Sequence, residues 1–141
     1  MTTIAYKHED GQIAIDSRVT AGNVLISNKV NKIIKNNTGV WLLAGSTCDC
    51  EGLALLKHND HVEPLPDCSA LLIKDRKAYL VSVNNDGYCC YTELNYDYTI
   101  GSGGEYATGA MDHGKSAKEA VKYAMTRDVY TGGRIRVFNV R

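Results

Sequence analysis

A chain of 141 residues fits the size of one domain, and at 44% hydrophobic and 23% charged it has the make-up of a globular protein, which excludes a disordered one. Its 16 basic and 16 acidic side chains cancel, which argues against nucleic acid as the main partner. No apolar run approaches the roughly eighteen residues of a membrane helix, and no secretory signal leads the chain, so a soluble, cytoplasmic protein without membrane contact is expected.

In chain order, Thr2 to His8 carries β-branched and aromatic residues and ends in a Glu9-Asp10-Gly11 turn. Gln12 to Asp16 is a second short strand, with Ile13 and Ile15 on one face. Two strands across that turn form a hairpin, which returns Asp16 to the start of the chain. Thr20-Ala21-Gly22-Asn23 reads as a turn, Val24 to Ile26 and Lys32 to Ile34 as strand pieces, and Val40 to Ala44 as a buried strand entering Gly45. Cys48 to His58 holds a short helix, and Asn59 to Asp67 is loop. Strands follow at Ala70 to Ile73, Ala78 to Val83 and Tyr88 to Leu94, the last pair joined by Asn84-Asn85-Asp86-Gly87, a hairpin signal.

Beyond Tyr98-Thr99-Ile100 lies a glycine cluster, Gly101-Ser102-Gly103-Gly104, readable as an anion nest. It lacks the Lys-Ser/Thr of a phosphate loop. A helix over Glu105 to Asp112 closes at Gly114. Ser116 and Glu119 form a capping box ahead of a stripe of Ala117, Ala120, Val121, Ala124 and Met125. Arg127 to Gly133 is a turn, and Ile135 to Val140 a closing strand. Runs of strands broken by runs of helices argue an α+β fold with antiparallel sheets.

The five cysteines (Cys48, Cys50, Cys68, Cys89 and Cys90) form an odd set with no Cys-x-x-Cys pair. They read as free thiols in a reducing compartment. His58-Asn59-Asp60-His61 is an incomplete ligand set before Pro64 and Pro66 and reads as a polar loop. No metal or cofactor is expected.

The chemistry concentrates at the front. If Met1 is trimmed, Thr2 carries a hydroxyl and a free α-amine on one framework. That amine has an ordinary pKa of about 7.7–8.0 and is partly neutral at physiological pH. A threonine hydroxyl beside an N-terminal amine is a nucleophile with its own base.

Six stretches then occur in one order: Thr2-Thr3-Ile4, Asp16 to Asn23, Lys29 to Lys32, Leu43-Ala44-Gly45, Gly101 to Gly104 and Arg127 to Gly133. Together they resemble the proteasome-type N-terminal-nucleophile (Ntn) hydrolases, which include proteasome β subunits and bacterial HslV. The Met-Thr-Thr start is similar to HslV, whereas Arg127-Asp128-Val129-Tyr130-Thr131-Gly132-Gly133 looks more like a β subunit. The resemblance implies a single domain over residues 1–141, built as a four-layer αββα sandwich of two antiparallel sheets flanked by helices. It implies a threonine peptidase in which Thr2 attacks the scissile carbonyl. Lys32 would lower the pKa of the terminal amine, Asp16 would hold Lys32, and the Gly45 amide would stabilise the oxyanion. Ser102, Asp128 and Thr131 would orient the amine. A homo-oligomer acting on peptides or unfolded protein, with an ATPase unfoldase as a further partner, also belongs to that pattern.

This chain departs from the pattern in three places. The segment Gly11 to Asp16 is shorter by two residues, an even change that keeps Asp16 on the same strand face. Thr131 stands where the family has serine. Between Gly45 and Ala70 there is room for one short helix in place of two long ones, which shortens the first helical layer and leaves ring geometry and ATPase docking open. Two other functions stay in view. One is an inert proteasome-like scaffold that retains Met1; the other is an amidase of the same superfamily acting on a small molecule.

Overall fold

The computed structural model describes residues 2–141, which form two compact units, residues 2–32 with 95–141 and residues 33–94. The elements run strands, one helix, strands, two helices, strand, as the α+β reading requires.

In the first unit, β1 (Thr3–Lys7) and β2 (Gln12–Ile15) form the expected hairpin, with Ile4 opposite Ile15 and Tyr6 opposite Ile13. β10 (Tyr98–Gly101) flanks β1 and β11 (Arg136–Asn139) flanks β2, giving an antiparallel sheet in the order β10-β1-β2-β11. Ile13, Ala14 and Ile15 are all fully buried, so both faces of β2 are covered. One face meets α2 (Gly104–Asp112) and α3 (Ala117–Met125) through Ala5, Ala14, Ala107, Met111, Ala117, Ala120 and Val121. Five of these seven are alanine, and small side chains let helix and sheet backbones approach closely.

The sequence of α3 explains where it begins. Ser116 Oγ accepts from the Glu119 amide while the Glu119 carboxylate accepts from the Ser116 amide, so two orphan donors of the first turn are satisfied together. α2 ends as expected before Gly114, whose φ of +87° turns the chain toward α3.

One turn is shorter than expected. Val19–Ala21 forms β3, paired with β4 (Val24–Ser27) as a separate ribbon, and only Gly22-Asn23 turns. A three-residue strand with its neighbours exposed carries no period-2 burial signal.

The second unit is a five-stranded antiparallel sheet in the order β5 (Ile33–Lys35), β6 (Val40–Gly45), β7 (Cys68–Lys74), β8 (Lys77–Val83), β9 (Cys89–Glu93). Asp75 and Arg76 both take positive φ between β7 and β8, the mirror-image turn that matches strand twist. Its core gathers Trp41, Leu43, Leu72 and Val81 from the strands with Leu53 and Ala54 at the end of α1 (Thr47–Leu53). The helix occupies seven residues, and the chain from there to β7 is loop apart from a single bridge between His61 and Tyr88. His58 Nδ1 accepts from the Tyr91 amide, and the His61 ring packs edge-on against Tyr88, so both histidines have partners in their own loop region. All five cysteines are free thiols; Cys89 is buried and Cys90 half-buried, as strand alternation dictates.

Candidate functional site

The β1–β2 hairpin brings Asp16 back to the front of the chain. The Asp16 amide donates to the Thr3 carbonyl at 3.3 Å, and the Thr3 amide donates to Asp16 Oδ1 at 3.2 Å. The same Oδ1 accepts from Lys32 Nζ at 2.8 Å, and Oδ2 accepts from the Gly132 amide at 3.0 Å. Asp16 is fully buried and the Lys32 side chain nearly so, so this pair is desolvated. A buried carboxylate needs this many donors to offset its lost hydration. Burial pushes the Lys32 ammonium below its ordinary value, and the Asp16 charge and hydrogen bond oppose that push without cancelling it. A lysine moved toward neutrality gives up a proton more readily than one in water.

A second network starts at Thr3. The Gly103 amide donates to Thr3 Oγ at 3.0 Å, Thr3 Oγ lies 2.6 Å from Thr131 Oγ, and Thr131 Oγ donates to Asp128 Oδ2 at 2.6 Å. Each hydroxyl has one hydrogen, so with Thr131 donating to Asp128, Thr3 is the donor to Thr131. Ser102 Oγ donates to the same Asp128 oxygen at 2.5 Å, and the Tyr130 amide donates to Oδ1 at 3.1 Å. Burial raises the Asp128 pKa, but the hydrogen bonds from Ser102, Thr131 and Tyr130 outweigh it and leave the carboxyl below its ordinary 3.8.

That lowered value has a consequence in acid. Asp128 contributes stability that is complete above the unfolded-chain pKa and is lost as pH falls through the folded one. Asp128→Asn should therefore lose less stability than wild type between about pH 5 and about pH 2, read from urea midpoints across that range.

The Thr2–Thr3 peptide group lies between these networks and is held at both ends. Its carbonyl oxygen accepts from the Ser102 amide at 2.9 Å, and its N–H is the donor to Asp16. Gly101 makes the clamp feasible. Its φ is +100°, and a Cβ there would stand 1.6 Å from the Thr2 carbonyl oxygen. Gly101→Ala should cost about 2 kcal/mol or more from backbone strain and steric overlap, seen as a fall of several degrees in melting temperature. In the glycine cluster, the Ser102 and Gly103 amides are committed to Thr2 and Thr3, so they are not free to cradle an anion.

Six of the seven residues singled out in the sequence (Thr2, Asp16, Lys32, Ser102, Asp128 and Thr131) thus belong to the first unit and fall in or beside these two networks. Gly45 belongs to the second unit. There it ends β6 opposite Cys68 with φ +138°, and a Cβ would meet the Asp67 carbonyl at 2.3 Å. Glycine alone suits that turn. Removal of Met1 concerns a residue outside those described. Thr3 was missed as a site residue. Its signal is a polar side chain that is wholly buried, which the sequence shows only as the second half of a Thr-Thr pair. Among the described residues, no group of three or more His, Cys, Asp or Glu is arranged to hold a metal ion.

No family model matches the chain. Among solved structures, a Thiobacillus denitrificans BPH in complex with epoxomicin aligns with a TM-score of 0.71 at 20% identity, over 99% of this chain and 98% of the other. Eukaryotic HslV from Trypanosoma brucei aligns with a TM-score of 0.71 at 20% identity, over 96% and 97% of the two chains. The chain has the fold of the proteasome-type Ntn hydrolases. Its sequence relatives agree. Proteasome subunit beta type-8 of dog is 29% identical over 99% of this chain, and proteasome subunit beta type-5 of chicken 28% identical over 99%. The chain spans 65% of the length of the dog protein and 70% of the chicken one. Between Gly45 and β7 the chain forms one seven-residue helix, α1, which agrees with the single short helix expected from the sequence.

Proposed function

We propose that the chain is a threonine peptidase whose nucleophile is Thr2 after removal of Met1. The observation that carries this reading is the double clamp on the Thr2–Thr3 peptide, with Lys32 bonded to the same Asp16 oxygen that holds the Thr3 amide. Such a clamp fixes the backbone from which the Thr2 hydroxyl projects, and preorganisation of this kind lowers the barrier to attack.

In the proposed reaction Thr2 Oγ bonds to the scissile carbonyl carbon as its proton passes to the Thr2 α-amine. Lys32, a nearby cation, lowers the pKa of that amine and stabilises the ionised hydroxyl. The Gly45 amide is the proposed donor to the oxyanion, a contribution typically of about 10²–10³ in rate. The intermediate collapses as the C–N bond breaks and the ammonium proton moves to the leaving amine. Water then adds to the acyl ester as its proton passes to the α-amine, and the C–O bond breaks as that proton moves on to Thr2 Oγ, which frees Thr2 with its amine neutral again. Ser102, Asp128, Thr131 and Thr3 are the polar shell that orients the terminus.

Under this reading the substrates are peptides or unfolded protein, the active form is a cytoplasmic homo-oligomer, and an ATPase unfoldase is a candidate partner. Treatment of purified protein with a methionine aminopeptidase tests it. Hydrolysis of a fluorogenic peptide should rise in proportion to the fraction of intact mass that has lost one methionine. Equal activity in untrimmed protein would exclude the terminal amine as base, and no activity in fully trimmed protein would exclude the peptidase and leave the scaffold and small-molecule amidase readings.

A further inference from the structure

A recess of about 640 Å³ lies within the first unit, one residue along the chain from the candidate machinery at three places. Ser17 follows Asp16, Asn31 precedes Lys32, and Gly133 follows the Gly132 whose amide binds Asp16; all three line it. The charged residues on its wall are Lys29, Arg134 and Arg136, and no carboxylate is among them. In a chain whose charges balance overall, three cations around one recess are a local excess.

Ion pairing does not consume them. Among the described residues the four ion pairs are Lys7–Asp97, Lys32–Asp16, His61–Glu63 and Lys77–Glu93. Arg136 is held in place: its Nη1 donates to Asn31 Oδ1 at 2.7 Å and its guanidinium lies 5.3 Å from the centre of the Phe138 ring. A guanidinium fixed in this way loses little entropy when it takes a partner. Lys29 and Arg134, also on its wall, are exposed and keep their hydration until an anion arrives.

We propose that this recess is a subsite for carboxylate side chains, which selects peptides bearing an acidic segment beside the bond presented to Thr2. An arginine fork matches a carboxylate in two parallel hydrogen bonds, and the flanking lysine adds charge without directional demand. The peptide as occupant rests on the hydrolase reading; the anion preference rests on the recess alone.

The test is made on Thr2→Ala protein, so that binding is read without turnover. Fluorescence anisotropy compares a fluorescein-labelled peptide containing three consecutive glutamates with the same peptide carrying glutamines. The glutamate peptide should bind about tenfold more tightly at low salt, and the advantage should shrink as salt rises. In Lys29→Glu/Arg134→Glu protein the preference should vanish, and a lysine version of the peptide should bind best. Equal binding of the glutamate and glutamine peptides would overturn the proposal, as would a preference that survives the charge reversal. Tighter binding of a single-stranded oligonucleotide, lost in the same double variant, would also overturn it by assigning the recess to phosphate backbones. Hydrolysis of the glutamate peptide by wild-type protein is recorded alongside. Its absence with glutamate selectivity intact sinks the hydrolase reading alone; its presence without selectivity sinks the subsite alone.

Discussion

Thr2→Ala protein should hydrolyse peptides about 10³-fold or more slowly than wild type, with the fold unchanged. Alanine removes the hydroxyl and leaves the α-amine, the Thr3 amide and the Asp16–Lys32 pair in place. Methionine trimming proceeds before small second residues, so alanine, serine and threonine at position 2 should be processed alike. That equality isolates the hydroxyl as the variable. Thr2→Ser should keep measurable activity, because it keeps the oxygen and loses only a methyl group. The melting temperature of Thr2→Ala should move by no more than about 1 kcal/mol would produce, as expected for one small side chain. Steady-state kinetics with a fluorogenic peptide, run beside thermal unfolding, read both quantities. Wild-type rates in trimmed Thr2→Ala protein would exclude this nucleophile.

The second large effect belongs to the Asp16–Lys32 pair. Breaking a buried ion pair by deleting one partner commonly costs about 3–5 kcal/mol, because the other charge is left without compensation. Here the two single variants should differ. Lys32→Ala leaves Asp16 with two backbone donors, the Thr3 and Gly132 amides, so its cost should sit near the lower end of that range. Asp16→Asn can present its oxygen to Thr3 and Lys32, but its amide nitrogen then faces the Gly132 N–H, donor against donor. It also leaves the Lys32 ammonium buried without its counter-charge, so Asp16→Asn should be the more destabilised of the two. Activity should follow a different order. Lys32→Ala removes the cation itself and should lower kcat by about 10²–10⁴, the usual span for a group that assists proton transfer. Urea midpoints give the first ranking and kcat the second. A Lys32→Ala protein as active as wild type would remove lysine from the proposed chemistry.

Much of the first unit was legible because its signals are local. Asp10-Gly11 between two β-branched runs specified the β1–β2 hairpin, and with it the return of Asp16 to Thr3. Ser116 and Glu119 specified the start of α3, and the stripe Ala117, Ala120, Val121, Ala124 and Met125 specified its buried face, except that Met125 is only half-buried. The β3–β4 ribbon was less legible. Val24, Leu25 and Ile26 are exposed in it, so hydrophobicity did not report burial there. Thr3 escaped notice for the opposite reason: its burial is set by Gly103 and Thr131, far away in the chain, and no local pattern announces a hydroxyl that closes a distant network. The cationic recess was likewise invisible in a balanced composition, since it joins residues 29, 134 and 136 across more than a hundred positions.

The central claim is that Thr2, once terminal, is a nucleophile with its own base. Its most direct measurement is mass spectrometry of the purified protein after treatment with a peptide epoxyketone, which captures a terminal hydroxyl and amine together. The account predicts loss of one methionine and a single adduct mapping to Thr2, absent from Thr2→Ala protein. A trimmed protein that forms no adduct, or forms it at another residue, would contradict it.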